Sequence, residues 1–230
     1  MRSIEKAILN RTALLLGDAA MERVSAARVF IFGVGGVGSC EGRRPKGTPV
    51  GDYSPAEIEA VQEIFNSETA ESFHLDEYDY VIDAIDSLKD KIELLVYGSG
   101  KAFEHTRLYS SMGAALKVDP TQVRVSKLWD VNGCPLASMM CKKMHRTKRF
   151  PGRKIQCVWS PEVLPNLGQA RSCGTETCMC PKAQSGDGRA DLPNHEWCTS
   201  KAQINGSMSH ITVIFGLTLA GLIIQDIYRQ

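Results

Sequence analysis

A chain of 230 residues can bury one sizeable core or two small ones. Its 27 Lys and Arg against 26 Asp and Glu, a formal charge of +1, exclude a polyelectrolyte that grips nucleic acid by overall charge, so any such contact must come from a local patch. The eight Cys, in a chain whose start (Met1-Arg2-Ser3-Ile4-Glu5-Lys6) carries no apolar signal core, fit thiols or metal ligands in a cytoplasmic protein rather than structural disulfides.

Residues 4–28 carry a helix pattern, and Leu14-Leu15-Leu16 before Gly17 is expected to form a core-facing turn. Val29-Phe30-Ile31-Phe32 reads as a buried strand running into Gly33-Val34-Gly35-Gly36-Val37-Gly38, which fits G-x-G-x-x-G. Such a loop turns tightly and aims backbone N–H groups at a phosphate. The chain continues as Ser39-Cys40-Glu41-Gly42-Arg43-Arg44-Pro45-Lys46-Gly47-Thr48-Pro49, in which proline and glycines oppose the usual helix. Residues 41–55 therefore read as loop, and Asp52 is rejected as a ribose ligand because it lies within it.

Alternation at Ile58, Ala60 and Ile64 favours a strand over 58–65. Tyr80-Val81-Ile82-Asp83-Ala84-Ile85-Asp86 is a better strand, with carboxylates at the end where open α/β sheets bind ligands. Asp86 can hold magnesium or position a phosphate, or else merely help Ser87 cap the next helix; spacing alone does not separate the two. That helix opens at Ser87-Leu88-Lys89-Asp90 and presents Leu88, Ile92, Leu95 and Val96 on one face. Residues 106–111 form a further strand, and after the Asp119-Pro120 turn Val123, Val125 and Leu128 mark another. Alternating strands and helices predict an α/β, Rossmann-like fold with a mostly parallel sheet and flanking helices.

Residues 141–154 contain seven Lys and Arg and no acid. A solvated face is the default for such a run, but Lys142, Lys143, Arg146, Lys148 and Arg149 can follow an RNA backbone while His145 and Phe150 stack on bases. The stretch 165–207 is rich in Cys, Gly, Ser and Pro and reads as irregular. Cys173, Cys178, Cys180 and Cys198, with His195, offer soft ligands for a structural zinc, against the alternative of reduced loop thiols. Cys40, Cys134, Cys141 and Cys157 are scattered and read as packed. Ile211 to Gln225 is uncharged but shorter than the ~20 residues a bilayer needs, so a buried or interface helix is expected rather than a membrane anchor.

Together these segments resemble the tRNA threonylcarbamoyladenosine dehydratases, in the superfamily of adenylating enzymes that includes the thiamine and molybdopterin biosynthesis activators and the ubiquitin-activating enzymes. The carrying residues are Arg11-Thr12-Ala13-Leu14 with Gly17, Phe32 through Ser39, and Tyr80 through Ser87. Asp119-Pro120-Thr121-Gln122, Pro135-Leu136-Ala137 and the stretch from Ser207 through Phe215-Gly216 add to them. The resemblance covers most of the chain outside 40–56 and implies one adenylating-enzyme-like domain over 1–230. Within it, 1–130 would be the nucleotide-binding core and 131–230 a basic, Cys-rich region ending in a helix. It implies a homodimer binding ATP and magnesium, which adenylates the carboxylate of a threonylcarbamoyl group on tRNA and closes a ring as AMP leaves. Gly33, Gly35, Gly36, Gly38 and Ser39 would line the phosphates, Asp86 would stand near magnesium, and Arg11 would reach the partner subunit's nucleotide.

The family's helix, acidic ribose strand, Asn-x-Asn-Arg-Gln-like segment and lysine have no counterpart between Gly38 and Ala60. A truncated fold lacking a helix-strand-helix unit is the consequence. Two alternatives to turnover arise from it: a non-catalytic tRNA-binding or dimerising relative, or the product of an internally deleted gene. A small zinc-stabilised binding protein is a third reading.

Overall fold

The computed structural model describes residues 3–33, 58–168 and 205–230, with the side chains of 3–8 left out. Helices α1 (Ser3–Leu16) and α2 (Asp18–Ala26) are separated by Gly17 at φ +79°, a left-handed conformation that ends the first helix. Strand β1 (Val29–Phe32) leads to Gly33, and β2 (Tyr80–Asp83) to helix α3 (Leu88–Tyr97). Then come β3 (Arg107–Ser111), β4 (Arg124–Lys127), α4 (Pro135–Thr147), β5 (Gln156–Trp159) and α5 (Ser209–Tyr228).

The sheet runs β1-β2-β3-β5-β4. β1, β2, β3 and β5 are parallel, and β4 closes one edge antiparallel to β5. This is the mostly parallel α/β, Rossmann-like sheet that the alternating sequence pattern predicts. β2 is buried at all four positions, as a parallel strand covered on both faces must be.

Side-chain alternation sorts the core into two layers. Phe30, Phe32, Val81, Leu108, Cys157 and Trp159 point to the side of α3 and α4, joined by Ile92, Leu95, Met140 and Met144. Tyr80, Ile82, Tyr109 and Val158 point the other way, onto Ile211, Phe215, Leu219, Ile223 and Ile227 of α5. Those five residues recur every fourth position, one stripe of an α-helix.

α5 extends over 20 residues, beyond the uncharged stretch legible in sequence, and is long and apolar enough to cross a membrane by length and composition. Its stripe is instead seated on the sheet. Its C-terminal end is held there by the Tyr80 hydroxyl donating to Asp226 at 3.0 Å and by Arg23 donating to the Ile227 carbonyl at 3.1 Å. Burial and the Asp226 carboxylate push the Tyr80 phenol up to about 12, so it remains a donor throughout the physiological range.

Four expectations need correction. β1, read as a buried strand, is buried only at Phe32, because it stands at the edge of the sheet among the described residues. Residues 58–65 form no strand and have no ladder partner among the described residues; Phe65 goes into an aromatic cluster with Phe32, Phe73 and Tyr97. Side-chain packing, not strand pairing, fixes that segment. Leu14 and Leu15 are helical and 79% and 78% exposed rather than core-facing. α4 and β5 are not legible in the sequence at all: the basic run masks the apolar face of α4, where Ala137, Met140 and Met144 are buried.

Truncating Phe215 to Ala is expected to cost about 3–5 kcal/mol of unfolding free energy, read from denaturant midpoints. An unchanged midpoint would mean that α5 is not part of this core.

Candidate functional site

The first glycine of the loop has a defined task. Gly33 leaves β1 at φ +88°, and a Cβ there would stand 2.6 Å from the Ala84 carbonyl oxygen and 2.9 Å from the Ile85 nitrogen. Glycine is thus required twice, by dihedral and by space. The contact brings the start of the glycine loop against the turn that leaves β2, at the carboxyl edge of the parallel strands. The Ala84 N–H also donates to the Phe32 carbonyl at 2.8 Å, so the two exits are laced together.

Beneath that junction lies a fully buried ion pair. Asp83 and Lys91 are both 0% exposed, and Lys91 Nζ lies 2.7 Å from Asp83 Oδ2. The same carboxylate oxygen accepts from Ser110 Oγ at 2.6 Å, and Oδ1 accepts from the Ile85 N–H at 3.1 Å. Lys91 Nζ donates to the Ile85 carbonyl at 3.0 Å. The N–H and the carbonyl of Ile85 are therefore both gripped from below, one by each partner of the pair. Asp83 and Ser110 are direct neighbours in the β2–β3 register, which places their side chains on one face. Cys157 is next in that row, and burial pushes its thiol up, so it is an inert packing group.

Asp86 comes next, on the surface of the same turn, and is exposed. Ser87 then caps α3, its Oγ accepting from the Asp90 N–H at 3.5 Å. Of the two carboxylates at this strand end, Asp83 is buried against Lys91 and Ser110, and Asp86 is exposed two residues past the Ala84 carbonyl that Gly33 packs against. One exposed carboxylate is the kind of donor that magnesium takes together with phosphates. Among the described residues no cluster of three or more His, Cys, Asp or Glu could hold a metal by itself.

Gly35, Gly36, Gly38 and Ser39 lie outside the described residues, as do 40–56 and the zinc candidates Cys173, Cys178, Cys180 and Cys198. Arg11 is exposed on α1 and makes no hydrogen bond or ion pair among the described residues. Lys142, Lys143 and Arg146 are on α4, and Lys148 ends it at φ +53°. Arg149 is differently engaged: it donates to both carboxylate oxygens of Glu93 on α3, each at 2.8 Å. Cys134 and Cys157 are buried and Cys141 half-buried, all three as free thiols.

Sequence reasoning misses Lys91 and Ser110. A signal for Lys91 is present: it lies three residues after Leu88 and four before Leu95, on the apolar face of α3, where an unpaired lysine would be intolerable.

No protein-family model matches the chain. It is similar to the tRNA threonylcarbamoyladenosine dehydratase of Bacillus subtilis, 24% identical, over 96% of this chain and 94% of that protein. It is 25% identical to the Escherichia coli enzyme of the same name, over 66% of this chain and 73% of that one. Its match to dehydratase 2 of Saccharomyces cerevisiae, 26% identical, spans 67% of this chain but only 43% of the yeast protein. Among solved structures, the Escherichia coli dehydratase in complex with AMP superposes with a TM-score of 0.69 at 20% identity, covering 98% of this chain and 96% of that chain. The complex of that enzyme with ATP gives a TM-score of 0.68 at 19% identity.

Replacing Lys91 by Met leaves Asp83 buried without its counter-charge, and a loss of about 3–5 kcal/mol in urea unfolding is expected; a change under about 1 kcal/mol would show that the pair is not closed in solution. The Arg149 guanidinium holds the Glu93 carboxyl below its ordinary 4.5, although burial opposes it. A carboxylate lowered on folding stabilises fully above its unfolded pKa and loses that contribution as pH falls through the folded value. Stability should therefore fall below about pH 4.5, and Glu93→Gln should flatten that part of the melting-temperature profile.

Proposed function

We propose that the chain is a member of the tRNA threonylcarbamoyladenosine dehydratase family, which it resembles over nearly its whole length, and that it binds ATP at the Gly33–Asp86 junction and serves an ATP-dependent dehydration of threonylcarbamoyladenosine in tRNA. The observation that carries this reading is the close approach of Gly33 to the Ala84-Ile85 peptide, which joins a phosphate-loop start to an exposed carboxylate at the sheet's carboxyl edge. Bound ATP supplies the adenylyl group that activates the substrate carboxylate. Backbone N–H groups of the loop from Gly33 to Ser39 would face its phosphates, and Asp86 would hold magnesium. Asp83 and Lys91 do not touch substrate in this scheme; they hold the Ile85 peptide so that Asp86 stays in place.

A homodimer belongs to the same proposal. α1 offers Leu14 and Leu15 to solvent together with Arg11, and a second copy would cover those leucines and receive the guanidinium at its nucleotide.

A second reading is binding without turnover. It is favoured by the Gly/Pro-rich stretch after Gly38, where Arg43, Arg44 and Lys46 are the only cations available in place of preorganised ones.

Calorimetric titration with ATP and magnesium, then an assay of AMP release with substrate tRNA, separates these. Binding is expected for the wild-type chain and lost in Gly33→Ala. Asp86→Asn is expected to lower AMP release by about 10²-fold or more, with modest effect on folding. No ATP binding at millimolar concentration defeats the catalytic reading, and AMP release driven by substrate tRNA defeats the non-catalytic one.

A further inference from the structure

Trp129, His145 and Phe150 meet beside α4, and none of them contributes to the Gly33–Ala84 contact or the Asp83–Lys91 pair. Their ring centroids lie 5.8 Å apart for Trp129–His145, 6.0 Å for Trp129–Phe150 and 5.3 Å for His145–Phe150. The local folding that exposes them is simple. In the turn Leu128–Asp130, Leu128 enters the core and Trp129 is left outside. Lys148 in the left-handed conformation then ends α4 and swings Phe150 back beside His145. Trp129 remains 45% exposed and Phe150 43% exposed, so neither ring is spent on the core.

Trp129 and His145, with Phe150 packed behind them, border a cleft of about 610 Å³ whose lining also includes Asn132, Ser138 and Lys142. That is within the size range of clefts that take a small organic ligand. Asn132 and Ser138 are exposed and bring amide and hydroxyl groups able to pair with the polar edge of a base. Lys142, Lys143, Arg146 and Lys148 make no side-chain hydrogen bond or ion pair among the described residues, whereas Arg149 is taken by Glu93 and Arg153 by the carbonyls of Gly98, Glu104 and Thr106. Asp130, next to Trp129, is the acidic residue closest in sequence to the rings.

We propose that the Trp129–His145 cleft, with Phe150 beside it, binds an unpaired nucleobase of RNA, the free cations of α4 lying on the flanking phosphates. Open aromatic faces beside unpaired cations are what stacking and backbone contact together require. An acidic protein segment would use the cations but leave the faces and the cleft without a purpose. The proposal rests on tRNA being the macromolecular partner, and it adds a docking subsite separate from the nucleotide junction.

The test is fluorescence anisotropy of a labelled tRNA transcript on the full chain at fixed salt, with ATP binding measured on the same samples. Trp129→Ala is expected to weaken tRNA binding roughly 5- to 150-fold, the effect of removing one stacking ring. Trp129→Phe should retain most of the affinity while losing the tRNA-induced quenching of tryptophan fluorescence. Lys142→Ala and Arg146→Ala should weaken binding and each reduce the salt slope by about one. Thermal melts confirm that the variants fold.

The inference is overturned if Trp129→Ala binds tRNA like the wild-type chain, or if polyglutamate occupies this face and tRNA does not. Loss of tRNA binding in Trp129→Ala in a chain that binds no ATP would uphold the cleft and defeat the catalytic reading. Normal ATP-driven AMP release with Trp129→Ala indifferent to tRNA would do the reverse.

Discussion

The structure depends on one buried ion pair. Moving two charges out of water costs several kcal/mol per ion, and their attraction offsets this only when the geometry is good and the remaining polar atoms are satisfied. Asp83 and Lys91 meet that condition. The carboxylate also accepts from Ser110 and from the Ile85 N–H, and the ammonium donates to the Ile85 carbonyl. Every one of these bonds reaches either a neighbouring strand or the turn after β2. The pair therefore does what a hydrophobic replacement could not: it dictates the path of the Ala84-Ile85 peptide, against which Gly33 must pack without a Cβ. Asp86 is positioned as a consequence.

The two layers of the core serve the same arrangement. Residues alternating along β2 and β3 send Tyr80, Ile82 and Tyr109 to α5, and Val81, Asp83, Leu108 and Ser110 to α3. With both faces of β2 and β3 covered, these central strands have their accessible chemistry at their ends. α3 carries Lys91 on its buried side and Glu93 further round, where Glu93 clamps Arg149 just past the end of α4. One helix thus touches both the turn bearing Asp86 and the element bearing the aromatic cleft.

Much of this can be read from the residues. β1, β2, the Ser87 cap and the face of α3 come from apolar runs and a capping pattern, because each is a local signal. The mostly parallel sheet comes from their alternation. The features that sequence reasoning misses are decided by distant contacts. Ile58 to Phe65 looks like a strand by alternation, yet it is held by rings from three other segments around Phe65 and by hydrogen bonds from Thr69 and Ser72 to Ile64 and Glu63. α4 is hidden because lysines and arginines outnumber the few buried methionines that define its inner face. Lys91 falls on the apolar face of its helix, but only the third dimension reveals the carboxylate it pairs with. Arg149 shows the converse, an apparent RNA ligand already satisfied within the fold. The Trp129–Phe150 meeting depends on a single left-handed residue, Lys148, which no propensity would single out.

The most direct measurement of the central claim is hydrogen–deuterium exchange of the intact chain with and without ATP and magnesium. The nucleotide should slow amide exchange in peptides spanning 29–39 and 83–87 together, since the Gly33 contact and the Asp83–Lys91 pair make them one structural unit. Protection confined to other segments, or in only one of these two, would contradict the account.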